Sequence, residues 1–313
     1  HQLIFGSSNT SSRTIGGNTV RLFDFGGADP KIENQSSGSH TINFNVEGDG
    51  TTDPLEMNPT SGNLTFGGTV NNQGTDINIF GDNGNTIQFN GVISGTGKFI
   101  IKQNSKVVFN AINTYTGNTE LDKGELWNEI TGDAIASGSS IFLGNGGSLG
   151  NVTKIFLSRS AGGTTFSRVI NVNNGNASTR FLGGLNSSGT NTFSGAIYIG
   201  NTQPLNLEAV NSGGVTDFTG QIRLSSGTVA TSATVTVLGA GIIQLSAANG
   251  YTGTTTINSG ATLRLGVSST SGTTGPLGST TGTTVNSGGV LDMNGFSLTS
   301  SASESLKLNC TGI

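Results

Sequence analysis

Side chains that could carry acid–base or nucleophilic chemistry are scarce in this chain. Among 313 residues there are two histidines, His1 and His40. Proton-transfer catalysis needs groups of matched acidity within hydrogen-bonding reach. His40 begins an alternating run and belongs to no motif, so we interpret it as a surface or strand-edge residue. The Gly-x-Ser-x-Gly match at 146–150 has Gly-rich turn and strand flanks, whereas a nucleophile elbow needs a strand before it and a helix after it. We therefore predict no catalytic residue and no enzymatic activity.

Carboxylates are mostly isolated, with one cluster in the middle of the chain. Glu120 and Asp122 have the same strand parity and could point outward together. Three interpretations stay open for the cluster: a solvated edge, which we favour, a cation site, or a catalytic group. Its members are Glu120, Asp122, Glu125, Glu129 and Asp133.

Short acidic turns raise the possibility of calcium. Calcium takes six to eight oxygen ligands, and an EF-hand supplies them at a fixed spacing. Asp49, Asp53 and Asp82 lie in such turns without that spacing. We predict no metal site and no cofactor, and these three residues remain the calcium candidates.

Aromatic side chains could instead hold a sugar. Tyr115 and Tyr251 occupy equivalent repeat positions, which favours a structural role in a turn. Trp127, the single tryptophan, is the better candidate for binding surface glycans.

Composition limits the class of protein. The chain has 51 glycines and 10% charged residues, against roughly 25% in ordinary soluble domains. Residues 1–133 carry a net charge of −7 and residues 134–313 one of +3. Neither half has the basic surface of a nucleic-acid-binding protein. No apolar run approaches the roughly 18 residues of a transmembrane helix.

Short alternating runs, such as His40-Thr-Ile-Asn-Phe-Asn-Val, indicate half-buried β-strands. The phenylalanines of these runs recur every 20 to 23 residues. A coil with roughly 20–25 residues per turn would stack them inside parallel sheets. We therefore predict an all-β fold, a single-stranded parallel β-solenoid, with this internal ladder: Phe23, Phe44, Phe66, Phe89 and Phe109.

One unit of sequence occurs twice. It reads NTYTGNTELDKGELW from Asn113 and NGYTGTTTINSGATLRLG from Asn249, and each copy follows a Gly-x-Gly and a strand. The unit resembles the autotransporter-associated β-strand repeat, also called the passenger-associated transport repeat. That resemblance implies a right-handed parallel β-helix, exported by a bacterium and surface-exposed or secreted. The motif residues are Asn113, Tyr115, Gly117, Asn249, Tyr251 and Gly253.

Together these features predict a single solenoid over residues 1–313, a piece of a longer polypeptide, with repeat units near 95–150 and 239–298. We expect a non-enzymatic extracellular or cell-surface protein, a rod or fibre subunit that associates with itself end to end into filaments. One alternative is an adhesin or glycan-binding module, with an exposed aromatic patch near Trp127. The other is a polysaccharide lyase or hydrolase, with carboxylates from consecutive turns lining a groove.

Overall fold

The structure is a computed structural model. It describes residues 2–8, 10–24, 27, 29–50, 53–81, 84–145, 151–172, 179–200, 203–224, 233–269, 275–278, 282–298 and 306–309. Every pairing between its strands is parallel, and these residues form no helix. Accordingly, no helix within these ranges is long and apolar enough to cross a membrane.

Internal contacts divide the chain into two compact units, His1–Gly147 and Ser148–Ile313. We call them the N-terminal and the C-terminal unit and describe each by itself. Whether residues 1–313 form a single solenoid stays a prediction.

The N-terminal unit winds its chain around three parallel sheets. Its first sheet contains β1 (Gln2–Phe5), β4 (Lys31–Asn34), β7 (Leu55–Pro59), β10 (Ile77–Ile79), β13 (Phe99–Ile101), β15 (Thr119–Leu121) and β17 (Ile141–Leu143). Its second contains β2 (Arg13–Ile15), β5 (His40–Ile42), β8 (Leu64–Phe66), β11 (Thr86–Phe89), β14 (Lys106–Phe109) and β16 (Gly124–Asn128). Its third contains β3 (Val20–Arg21), β6 (Val46–Glu47), β9 (Val70–Asn71) and β12 (Ile93–Ser94).

The C-terminal unit has the same construction. One sheet contains β18 (Val152–Leu157), β21 (Thr179–Gly184), β24 (Leu205–Ala209), β27 (Val235–Leu238), β29 (Thr255–Ile257), β31 (Thr283–Asn286) and β33 (Leu306–Asn309). A second contains β19 (Thr165–Phe166), β22 (Thr190–Phe193), β25 (Val215–Phe218), β28 (Ile242–Leu245), β30 (Thr262–Leu265) and β32 (Val290–Asp292). A third contains β20 (Ile170–Val172), β23 (Ile197–Ile199) and β26 (Ile222–Leu224).

Alternation along the strands explains why they form. In β11 the apolar Ile87 and Phe89 are buried, and the polar Thr86 and Gln88 face outward. A strand of this pattern buries only one face, so it is stabilised by stacking the next turn upon it. With about 25 residues per turn, the predicted parallel β-solenoid is confirmed.

The predicted phenylalanine ladder is confirmed for its last three members. Phe66, Phe89 and Phe109 occupy paired positions on β8, β11 and β14, and all three are buried. The ring centroids of Phe66 and Phe89 lie 5.1 Å apart, and those of Phe89 and Phe109 lie 5.8 Å apart. Both separations are in the range of favourable aromatic pairs.

The first two members of the ladder were placed wrongly. Phe23 is 45% exposed, with the Arg21 guanidinium 5.7 Å from its ring centroid. Phe44 is buried, but it lies outside the ladder because Ile42 is the residue that pairs with Phe66. Ile42 pairs in turn with Ile15, one turn earlier.

Turn length explains this error. The pair Ile42–Phe66 spans 24 residues and the pair Ile15–Ile42 spans 27. The even spacing of 21 and 22 between phenylalanines is shorter than these turns, so it does not follow the register.

An aromatic ladder that the sequence analysis missed crosses the C-terminal unit. Phe166, Phe193 and Phe218 pair in register on β19, β22 and β25. Successive ring centroids lie 5.8 and 4.9 Å apart. Leu245 and then Leu265 continue the same buried row, so this unit too has a ladder through consecutive turns.

Candidate functional site

Both copies of the repeated motif contain a buried asparagine that bonds to the turn before and the turn after its own. Asn113 accepts a hydrogen bond from the backbone N–H of Ile93 at 2.8 Å and donates one to the carbonyl of Ala134 at 2.7 Å. Asn249 accepts from the N–H of Ile222 at 2.8 Å and donates to the carbonyl of Pro276 at 2.7 Å. We call Asn113 and Asn249 the asparagine clamps, since each satisfies buried backbone groups of two other turns.

The motif tyrosines lie wholly inside the units. The Tyr115 hydroxyl shares a hydrogen bond of 2.6 Å with the Thr119 hydroxyl, and that of Tyr251 shares one of 2.8 Å with Thr255. Burial raises the pKa of Tyr115 far above its ordinary value, so the phenol stays neutral. This geometry fits the structural turn role predicted for both tyrosines.

The motif glycines allow two turns to approach closely. A Cβ atom at Gly117 would collide with the carbonyl of Gly97, and one at Gly253 would collide with the carbonyl of Ala233. Only glycine fits at either position without moving the backbone.

His40 is a core residue, which corrects its predicted place at the surface or strand edge. It is 1% exposed, and its ring stacks on Phe5 with centroids 4.0 Å apart. His40 shares strand parity with the buried Ile42, so alternation along β5 already pointed inward. Burial, and then the nearby Arg13, lower the pKa of His40 below its ordinary value, which keeps the ring neutral.

Ser36 and His40 lie side by side, yet their geometry is that of a structural pair. His40 Nδ1 accepts the backbone N–H of Arg13 at 3.2 Å, so the ring proton is on Nε2. Nε2 lies 2.6 Å from the Ser36 hydroxyl oxygen and therefore donates to it. A general base would need the opposite tautomer, with a free lone pair facing the hydroxyl.

The acidic cluster is spread over separate contacts. Glu120 forms an ion pair of 2.9 Å with Lys98 and accepts a hydrogen bond of 2.8 Å from Asn145. Burial raises the pKa of Asp122, and the charge of Glu120 contributes to that rise. Glu125 accepts the indole N–H of Trp127 at 2.9 Å. Glu120 and Asp122 are thus near each other, as their shared parity predicted.

The calcium candidates do not form a metal site in the part of the chain that the structure describes. Asp49 accepts the backbone N–H of Asp24 at 2.7 Å. A side-chain hydrogen bond with Asp24 raises the pKa of Asp53. Asp82 lies outside the described residues. Within them, no group of three or more His, Cys, Asp or Glu side chains is placed to hold a metal ion.

Trp127 forms one wall of a groove on the outer face of the N-terminal unit. The groove has a volume of about 340 Å³ and crosses β11, β14 and β16. Gln88, Val108 and Trp127 are aligned by strand pairing and form its central row. We call it the Trp127 groove; it is lined by Thr86, Gln88, Lys106, Val108, Asn110, Trp127 and Glu129.

Neighbouring side chains hold the Trp127 ring in place. Its N–H donates to Glu125 on the same strand at 2.9 Å, and the Lys106 ammonium lies 4.4 Å from the ring centroid. A cation over an aromatic face contributes about 0.5–1 kcal/mol at an exposed site. The indole is therefore a positioned surface.

Amide groups on the opposite side turn their donors away from the groove. Gln88 and Asn110 both donate to the side-chain oxygen of Asn90, each at 2.8 Å. Their own amide oxygens, and the carboxylate of Glu129, accept no hydrogen bond from any described residue. The groove consequently offers hydrogen-bond acceptors to a ligand.

The sequence analysis found Trp127 and, within the acidic cluster, Glu129. It did not find Gln88, Lys106, Val108 or Asn110, which come from the two preceding turns. Their signal was the turn length, because Val108 precedes Trp127 by 19 residues and Gln88 precedes Val108 by 20.

In comparisons with known proteins, no family model, no curated protein and no solved structure matches this chain.

Proposed function

We propose that this protein is a non-enzymatic structural protein of a bacterial surface, a β-solenoid rod or fibre subunit that carries mechanical load. The observation that carries the proposal is the asparagine clamp. Asn113 and Asn249 each bond to backbone groups of two other turns, so separating those turns breaks side-chain bonds together with the backbone ladder.

Packing inside the units supports the same role. The rings of Phe66, Phe89 and Phe109 lie in contact through three consecutive turns. Pulling one turn away would expose a large aromatic side chain, and burial of such a side chain contributes roughly 1.5–3 kcal/mol. Resistance to extension is thus distributed along the unit.

The location outside the cell is proposed from the sequence. The stretches NTYTG and NGYTG resemble a repeat of exported passenger proteins, and the low content of charged and cysteine residues suits an extracellular product. Antibody labelling of intact cells of the source bacterium tests this. Labelling without permeabilisation is expected, and labelling that requires permeabilisation would contradict it.

We also propose that copies associate end to end. The outermost strands β1 and β33 expose apolar side chains: Ile4 is 44% exposed and Leu308 59%. The residues at the matching place on the adjacent strands, Glu33 and Val285, are buried. A second copy would cover these strands and pair with their free backbone groups.

The opposite net charges of residues 1–133 and 134–313 favour a head-to-tail contact, which repeats without closing and forms a filament. Electron microscopy of the intact protein at micromolar concentration tests the assembly. Filaments that grow at low salt are expected. Single particles at both low and high salt would contradict assembly, and the load-bearing proposal is tested separately.

A further inference from the structure

We infer that the Trp127 groove binds a neutral polysaccharide. This goes beyond the proposed mechanical role and concerns a different surface, the outer face of the N-terminal unit. The inference depends on the shape, the polar groups and the charge of the groove.

Trp127 and Val108 supply an apolar wall and floor. The C–H face of a sugar ring is apolar and slightly positive, so it packs against the negative face of an indole for the reason that aromatic edges do. The hydrogen bond to Glu125 already orients the indole. Binding a sugar there would cost little additional side-chain entropy.

Acceptors on the other side match the hydroxyls of a sugar. The amide oxygens of Gln88 and Asn110, together with the Glu129 carboxylate, have no hydrogen-bond donor among the described residues. Sugar hydroxyls are donors, and each can approach one of these oxygens while the ring lies against Trp127. A volume of about 340 Å³ is at the lower end of ligand pockets, which span roughly 300–1,000 Å³.

The spacing of the groove favours a glycan over a peptide. Gln88, Val108 and Trp127 belong to three successive turns, and neighbouring strands lie about 4.8 Å apart. That interval is close to the advance of one sugar unit along an extended polysaccharide. An extended peptide advances about 3.4 Å per residue and loses register with such rows.

Charge in the groove favours a neutral ligand. Lys106 lines the groove beside Thr86, and Glu129 lines it beside Asn110, so one cation is balanced by one carboxylate. The ammonium of Lys106 is engaged with the Trp127 ring at 4.4 Å. An acidic polysaccharide would bring its carboxylates close to Glu129 without a second cation to offset them.

Because Trp127 is the single tryptophan of the chain, its fluorescence reports on the groove directly. The intact protein is titrated with soluble neutral polysaccharides (β-glucan, xylan, mannan and amylopectin), with polygalacturonate as the acidic comparison. A saturable shift of the emission with at least one neutral polymer is expected. No saturable shift with any of the four, or a stronger response to polygalacturonate, would overturn the inference.

Affinity electrophoresis in gels containing the responding polymer tests the residues. Trp127→Ala should lower affinity about tenfold or more, since a buried tryptophan commonly dominates a binding surface. Trp127→Phe should keep most of the binding because it keeps an aromatic face, and Gln88→Ala should weaken it several-fold. Retardation equal to that of the wild type in Trp127→Ala would overturn the inference.

Tyr198→Ala is the matched control. Tyr198 also faces outward with a cation over its ring, Arg223 at 4.8 Å, but it lies in the C-terminal unit. This variant should bind like the wild type. Thermal melts show which variants are folded; if Trp127→Ala unfolds, Gln88→Ala and Asn110→Ala decide, and unchanged binding in both would overturn the inference.

Discussion

The side-chain nitrogen of Asn113 lies 2.7 Å from the carbonyl oxygen of Ala134, which belongs to the next turn of the N-terminal unit. The oxygen of the same side chain receives the N–H of Ile93 from the preceding turn. Asn249 makes the equivalent pair of bonds in the C-terminal unit. The repeated motif thus encodes a connection between turns.

Asn249→Ala is expected to lower the free energy of unfolding by roughly 2–4 kcal/mol. The substitution leaves the N–H of Ile222 and the carbonyl of Pro276 without their partner, and each unsatisfied buried group costs about 1–3 kcal/mol. Denaturant unfolding measures the loss. Asn211→Ala is the control, because Asn211 is exposed and makes one such bond, to Leu185; equal losses in the two variants would contradict the clamp.

Phe89→Ala should destabilise the protein by roughly 3–5 kcal/mol, as large aromatic deletions in cores do. Its ring contacts those of Phe66, Phe99 and Phe109. Phe23→Ala, a deletion of the same size at a position 45% exposed, should cost less than about 1 kcal/mol. Chemical denaturation compares the two, and a Phe23 variant as unstable as the Phe89 variant would be inconsistent with the register.

Gly117→Ala should destabilise the N-terminal unit by more than about 1 kcal/mol, because the added methyl group meets the carbonyl of Gly97. Gly132→Ala adds the same methyl group where no atom lies within 4 Å, so its melting temperature should stay near that of the wild type. Thermal unfolding followed by circular dichroism measures both. A neutral Gly117→Ala would refute the close approach of the two turns.

Stability should fall as the pH drops below the ordinary His40 pKa of 6.5. Burial lowers the pKa of His40 in the folded state, so the unfolded chain takes up the proton first and gains stability. Above about pH 6.5 the ring is neutral in both states and its full contribution remains.

Carboxyl groups with raised pKa values, such as Asp122 and Asp217, act in the opposite direction at lower pH. The informative quantity is therefore the difference between wild type and His40→Gln. Their unfolding free energies, measured from pH 7.5 to 5, should converge as the pH falls (roughly the histidine range). A constant difference would contradict a neutral, buried His40.

Sequence patterns predicted the part of the fold that depends on local alternation. Phe66, Phe89 and Phe109 combine strand parity with a spacing that equals the turn length, and all three are internal. Parity alone also placed Trp127 with the outward-facing Glu125. Phe23 failed because the early turns are longer than the spacing between its neighbours, and no residue in those turns announces their length.

Partners one turn away were beyond local patterns. The repetition of Asn113 and Asn249 was visible, but Ile93 and Ala134 become their partners only when turn lengths are known. The Trp127 groove was missed for the same reason, since Gln88 and Val108 reach it through register. For His40 the local signal was present and was read incorrectly: it has the parity of Ile42.

Single-molecule force spectroscopy of the intact chain tests the proposed load-bearing role most directly. Turns tied by clamps and ladders should resist and then release one or a few at a time. A turn of about 25 residues lengthens the chain by roughly 80 Å when fully extended, so force peaks separated by multiples of that length are expected, with lower peaks in Asn249→Ala. Smooth extension at low force without discrete peaks would contradict the account.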